Sequence, residues 1–371
     1  MMEICIFNGD MSRGGGTEHM AQTLANILSE KEDCHVWVLN KENFSGKSYY
    51  PLDERVNFAV LPSGSVLKTI LALWQFVRKN RIDILINVDI MLGIFSLPVR
   101  LLYPRLKIVA WEMFNIRNDI GSRHTKLVRQ LSLMFGSYYI TLTKGDMDAF
   151  KKEMRGLCPI TYIYDPCTED KTYQGYNCNS KTIMTAGHFF YTKGYDLAVE
   201  VARIVFRRHP DWKWELYGDG DRMEETMAMV KAYGLGKNVI FCGRTNQLLN
   251  AYRNAAIYVM TSRTEGFGLV LTEAKANNLP IVSFDIDFGP REIIEDGKSG
   301  FLIKAFDAEE MADRICELIE NDAMRCSFSK HAKDNLEIFS IESFAQRWET
   351  VLYSIGKGYR KRSRNQIDEI L

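Results

Sequence analysis

Short apolar runs rich in β-branched and aromatic residues recur along the chain, with segments of helical period between most of them. The first half carries EICIF, CHVWVL, VNFAV, DILINV, KIVAW and SYYITLT, and the second carries KTIMTAG, KWELYG, NVIFCG, AIYVMTS and PIVSF. Runs of this kind are strands buried on both faces. Strands separated by helices pair in parallel through right-handed crossovers. The pattern predicts an α/β chain of two Rossmann-like, doubly wound parallel-sheet domains. The polar, aperiodic stretch Tyr162–Lys181 reads as the break between them. The domains are then 1–165 and 181–339, joined by a linker at 166–180. The last part, 340–371, is helical over Ser340–Ile355 and ends in a basic tail.

The 371 residues suit two such domains, and 47 basic against 47 acidic residues leave no global field that would favour nucleic acid. Eight cysteines include no Cys-x-x-Cys pair and read as free thiols of a reducing compartment. The start, MMEICIFNGD, lacks a basic segment followed by a long apolar core, and no apolar run reaches about 18 residues. A cytoplasmic location is the expectation.

In open α/β sheets ligands bind beyond the carboxyl ends of the strands, and two domains facing each other make a cleft. The loops at those ends are therefore where unusual residues carry meaning. NGDMSRGGGTEHM (Asn8–Met20) sets Gly14, Gly15 and Gly16 before a helix, where backbone can approach a phosphate or sugar. The alternative is a flexible loop with Thr17 as N-cap. In TAGHFFYTKGYD, Lys193 precedes a helix start, where a cation opposes the helix dipole unless an anion lies there too. Gly218 and Gly220 in LYGDGD suit the border of a nucleotide base. In SRTEGFGLVLTEAKANNLP the predicted helix is Phe267–Asn278, with Glu265 ahead of it and Glu273 about two turns in. Eight residues rise roughly 12 Å on a helix, too far for a retaining glycosidase pair at about 5–5.5 Å. The two carboxylates need separate tasks: Glu273 suits a ribose diol and Glu265 a sugar hydroxyl. Gly266 and Gly268 open the backbone amides to a ligand, and GPREII (Gly289–Ile294) is a further turn of that kind.

The stretch Ser262–Ile303 resembles the Glu-x7-Glu signature of retaining nucleotide-sugar glycosyltransferases of family four, with their Gly-Pro-x-Glu-Ile-Ile and Gly-x-x-Gly-Phe-Leu turns. GGGTE resembles their glycine-rich loop, and AGHFFYTKGYD their Gly-Arg-…-Lys-Gly-x-Asp segment. The blocks follow the family's order over nearly the whole chain. The resemblance implies a GT-B fold and metal- and cofactor-independent transfer with retention. The donor is a nucleotide diphosphate sugar, UDP foremost, and the acceptor a glycan or lipid-linked glycan, as in bacterial polysaccharide or lipopolysaccharide synthesis. It implies Lys193 on the diphosphate, and Glu265 on the donor sugar together with Gly266, Phe267, Gly268 and Leu269. Glu273 falls on the ribose, and Gly15 and Gly16 on the diphosphate or sugar. His188 and Gly218 complete the donor site. His188 stands where the family carries arginine, and Arg244 is the expected compensation. Met113 stands where many relatives carry histidine after KIVAWE, leaving Glu112, or Asn115, as the catalytic contact from the N-terminal domain.

Asp-x-Asp triplets begin at Asp146, Asp219 and Asp285, the pattern of a metal–diphosphate site in the other transferase architecture. The double alternation points to GT-B, and no metal is expected. Ser65–Arg81 and Ser122–Phe135 are basic amphipathic patterns that suit an anionic surface, such as the inner face of the plasma membrane. The same patterns suit helices covering a sheet. A GT-B epimerase or phosphorylase, or a nucleotide-sugar-binding scaffold without catalysis, are the alternative functions.

Overall fold

The computed structural model describes residues 1–118, 124–167, 173, 175–245 and 247–356. The basic tail from 357 and part of the expected linker lie outside them. The chain divides into two compact units: Met1–Asp165 with Glu342–Leu371, and Pro166–Ile341.

Unit 1 begins β1 (Met2–Asn8), α1 (Gly16–Ser29), β2 (Cys34–Asn40), β3 (Asn57–Val60) and α2 (Val66–Lys79). It continues β4 (Ile84–Asn87), α3 (Gly93–Leu102), β5 (Lys107–Trp111), α4 (Thr125–Phe135), β6 (Tyr138–Thr141), α5 (Lys144–Glu153) and β7 (Ile160–Tyr162). Unit 2 begins β8 (Thr182–Ala186), α6 (Tyr195–Arg208), β9 (Lys213–Tyr217), α7 (Met223–Ala232), β10 (Val239–Gly243) and α8 (Leu248–Asn254). Then come β11 (Ile257–Met260), α9 (Leu269–Ala276), β12 (Ile281–Asp285), α10 (Pro290–Ile293), β13 (Gly300–Lys304), α11 (Ala308–Glu320) and α12 (Asp322–His331). A last helix, α13 (Ile341–Ile355), packs on unit 1: Trp348 meets Trp111 edge-on at 4.8 Å, and the Tyr353 hydroxyl donates to Asp33 at 2.6 Å.

All strand pairs are parallel. The orders are β3-β2-β1-β4-β5-β6-β7 and β10-β9-β8-β11-β12-β13. Each order reverses once, between β1 and β4 and between β8 and β11, which are the places where such sheets bind ligands. The doubly wound α/β expectation holds in both units. Ile4, Cys5, Ile6 and Phe7 are all fully buried, as a central strand covered on both faces requires.

The eleven expected strands are present, and β7 and β13 join them. The described residues of the expected linker are tied to unit 2. Tyr176 donates from its hydroxyl to the Ala256 carbonyl at 2.8 Å, and Lys333 to the Tyr173 carbonyl at 2.9 Å.

Candidate active site

The reversal in unit 2 brings together two loops that are distant in sequence. β8 leads through Gly187–Lys193 into α6, and β11 leads through Thr261–Gly268 into α9. Gly194 takes φ +64°, and a Cβ there would lie 2.0 Å from the Thr261 carbonyl oxygen. Only glycine permits that approach. The Thr261 hydroxyl donates to the Gly194 carbonyl at 2.9 Å, and the Arg263 amide to the Thr192 carbonyl at 2.7 Å. Arg263 also forks onto Asp196 at 2.8 and 2.6 Å.

This lacing sets the Lys193 ammonium 2.8 Å from both carboxylate oxygens of Glu265, across 72 residues of sequence. The Ser262 hydroxyl donates to the same carboxylate at 2.6 Å. Glu265 is buried and Lys193 partly open to solvent, so the cation is the more accessible half of the pair.

Glu273 lies on α9. The buried Tyr252 hydroxyl donates to its Oε2 at 2.7 Å, and Oε1 has no protein partner recorded among the described residues. Burial pushes the Glu273 carboxyl above its usual range, against the lowering effect of the Tyr252 hydrogen bond. The helix starts at Leu269, two residues later than the sequence pattern suggests. Gly268 takes φ +99° and interrupts the helical backbone. No side chain caps this helix start, which leaves its first amides to carry positive partial charge. Gly266 and Leu269 flank the turn, half-buried. The Phe267 side chain is buried against Phe339, with ring centroids 5.6 Å apart, so the ring is not presented to a ligand. Gly289 sits where a Cβ would lie 2.1 Å from the Phe267 carbonyl oxygen, so the Gly-Pro turn buttresses the start of α9.

His188 is paired with Asp219 at 3.1 Å and stacked on Phe190 at 5.3 Å. Gly218 takes φ +135°, with space for a Cβ filled by the Gly187 carbonyl oxygen at 1.9 Å, so packing between strand ends already requires glycine there. Arg244 is exposed just beyond β10.

In unit 1, α1 starts at Gly16 with Gly15 as N-cap, so Thr17 is inside the helix and is not the cap. A Cβ on Gly15 would lie 2.6 Å from Glu18 Oε2. The Glu18 carboxyl is buried and pushed up by that burial, while hydrogen bonds from the Glu18 and Gly15 amides pull it down. The helix start that Gly15 and Gly16 were expected to offer a diphosphate therefore already holds a carboxylate.

Glu112 departs most from expectation. It is 0% exposed, and Arg129, itself 5% exposed, donates to it through Nε at 2.7 Å and Nη2 at 3.2 Å. The Tyr139 hydroxyl adds a third bond at 2.9 Å. Both oxygens are used inside unit 1, so Glu112 is a buried structural ion and not a group open to a substrate. Asn115 is buried as well, its side-chain oxygen accepting from the Arg117 and Asn118 amides at 2.8 and 2.9 Å. Met113 is buried. Nothing near KIVAWEMF in sequence marks Arg129 as the partner.

The first aspartate of each Asp-x-Asp triplet has a protein partner, Asp219 being the one paired with His188. Asp146 is buried and accepts from the Ile116 amide at 2.9 Å, and Asp285 is forked by Arg291 at 2.5 and 2.6 Å. Among the described residues, no cluster of three or more histidine, cysteine or acidic side chains suits a metal. None of the eight cysteines forms a disulfide.

Two parallel-sheet α/β units with these strand orders define the fold class. Residues 168–335 match the family of glycosyl transferases group 1, and the chain carries a domain of that family. It is 28% identical over 362 residues to an uncharacterized glycosyltransferase of Haemophilus influenzae, covering 95% of this chain and 100% of that one. It is 24% identical over 361 residues to the amylovoran biosynthesis glycosyltransferase AmsD of Erwinia amylovora, covering 95% and 100%. The crystal structure of Anabaena HepE in complex with UDP-glucose superimposes with a TM-score of 0.79 at 17% identity, covering 95% of this chain and 100% of that one. The fold is GT-B, and the family's activity is glycosyl transfer.

Proposed function

We propose that the protein is a retaining, metal-independent hexosyltransferase that moves a sugar from a UDP-sugar to a glycan or lipid-linked glycan. The Lys193–Glu265 pair carries this reading. When the bond from the anomeric carbon to the diphosphate breaks, negative charge builds on the leaving oxygen. A preorganised ammonium and the uncapped start of α9 stabilise that charge without a metal. Lys193 exchanges Glu265 for the diphosphate, and the released carboxylate accepts from hydroxyls of the donor sugar. Glu273, with Oε2 fixed by Tyr252, offers Oε1 to the ribose diol. Arg244, exposed just beyond β10, supplies a further cation to the donor. HepE, whose structure holds UDP-glucose, and AmsD, named for amylovoran biosynthesis, support the donor and the acceptor class respectively.

The test is transfer from α-linked UDP-sugars to a glycan panel, with NMR of the product's anomeric proton, in buffer with and without EDTA. An α-linked product formed equally in EDTA is expected. A β-linked product, or activity abolished by EDTA and restored by a divalent cation, overturns the reading.

A further inference from the structure

Helices α2, α3 and α4 cover one face of the unit 1 sheet. Leu85 and Ile108 are register partners, as are Asn87 and Ala110, so the α2–α3 core around Leu85 and the α4 core around Ala110 share a face. A soluble cover of this kind buries its apolar stripe on the sheet and turns charge outward. These helices do otherwise.

None of the three contains an aspartate or glutamate, in a chain with 47 of them. Their outer surface exposes Leu67 and Leu71 on α2, Leu101 and Leu102 on α3, and Leu127 and Phe135 on α4. Leu101 is 76% exposed and Leu127 56%. Between α3 and α4 runs a groove of about 750 Å³, lined by Ile94, Leu97, Leu101, Leu127, Leu131 and Phe135 among others. Among the described residues, the only ionisable ones in its lining are Arg100 and His124. Arg105, Lys107 and Lys126 are exposed close by in sequence. Arg129, the other basic residue of α4, is turned inward to Glu112 and adds nothing to this surface.

We infer that this face docks on an anionic phospholipid bilayer. The groove and the exposed leucines take acyl-chain carbon, and the basic residues meet the headgroups. Apolar area with neighbouring cations, on helices that carry no carboxylate of their own, is the surface chemistry of interfacial helices. A second copy of the chain fits less well, because a two-fold pairing of this face sets like charges against each other. No helix among the described residues is long and apolar enough to cross a membrane, so the contact is a surface one. The inference rests on the transfer reading only for its purpose, which is to bring a lipid-linked acceptor to the enzyme.

The test is co-sedimentation of the full chain with phosphatidylglycerol–phosphatidylcholine vesicles and with phosphatidylcholine alone. It is run at about 0.05 and about 0.5 M NaCl, between which screening tightens severalfold. The wild type should pellet with the anionic vesicles at low salt and about tenfold less with the neutral ones. The pair Leu101→Asp and Leu127→Asp should abolish pelleting while melting temperature and UDP-sugar binding stay unchanged. Lys126→Glu with Arg105→Glu should remove the preference for anionic lipid. No pelleting of the wild type at low salt, or equal pelleting of the aspartate variant, overturns the inference. So does a wild-type dimer that the aspartate variant converts to monomer while neither binds vesicles. A chain that pellets but transfers no sugar overturns the transfer reading alone. One that transfers to a soluble glycan without pelleting overturns this inference alone.

Discussion

Glu112→Ala separates a catalytic carboxylate from a structural one. The Arg129 guanidinium is 5% exposed and loses both side-chain bonds to Glu112 in this variant. Removing one partner of a buried ion pair costs roughly 3–5 kcal/mol. Arg129 keeps the carbonyls of Asn115, Ile116 and Asn118 at 2.9, 3.3 and 3.3 Å, which holds the cost near the lower end. The buried Tyr139 hydroxyl also loses its acceptor, adding about 1 kcal/mol. A total near 4 kcal/mol corresponds to about 8–16 °C in the melting temperature of a unit of this size. Differential scanning calorimetry should show that drop for unit 1. Donor affinity, measured at a temperature where the variant is folded, should stay unchanged. Adding Arg129→Ala should cost much less than the sum of the two single changes, because the second removes the stranded charge. A Glu112→Ala protein with wild-type melting and a transfer rate lowered a hundredfold or more would refute the structural assignment.

Lys193→Ala should lower kcat/KM by roughly 10²–10³, the usual cost of one group that stabilises leaving-group charge, and should also lower stability, because it removes the paired cation from the buried Glu265 carboxylate; steady-state kinetics with melting controls reads both. Gly194→Ala forces a Cβ to within 2.0 Å of the Thr261 carbonyl oxygen at φ +64°, so it should destabilise unit 2 by about 1–3 kcal/mol and depress transfer through a displaced Lys193, as urea unfolding and kinetics would show. Burial pushes the Asp146 carboxyl up to about 8, from the usual 3.8, with Glu112 adding to the rise. Between those values the folded state holds more protons than the unfolded one, so the slope of stability with pH is negative. Melting temperature of unit 1 should therefore fall as pH rises from about 5 to about 8, and Asp146→Asn should flatten the fall; an unchanged profile in the variant refutes the assignment.

Much of the fold is legible as chemistry along the chain. Strands such as Ile4–Phe7 are buried on both faces and so leave continuous apolar runs. β7 is missed because its three residues run directly into the polar stretch after Tyr162. β13 is missed because it opens on Gly300, whose closeness to the Ile281 carbonyl oxygen demands glycine in a strand, while glycine in sequence reads as a turn. Lys193, Glu265 and Glu273 stand out from their positions in loops and helix starts, yet the direct pairing of the first two is a product of sheet order and invisible locally. Glu112 misleads for a related reason. It follows a strand, where carboxylates usually meet solvent or ligand, and its partner Arg129 lies 17 residues on, in a helix whose pattern reads as a basic outer face. Glu18, at the third position of α1, was legible as a helix-start carboxylate, but its competition with a diphosphate follows from its burial.

Titration calorimetry of the wild type and Glu273→Ala with UDP-, GDP-, ADP- and dTDP-sugars tests the donor site most directly. A carboxylate bonded to a diol contributes roughly 1.5–3 kcal/mol. UDP-sugars should bind the wild type, and Glu273→Ala should weaken them about 10- to 100-fold without lowering the melting temperature of the free protein by more than a few degrees. Equal affinity in both proteins, or no binding of any nucleotide sugar by the wild type, would contradict a donor site built on Lys193, Glu265 and Glu273.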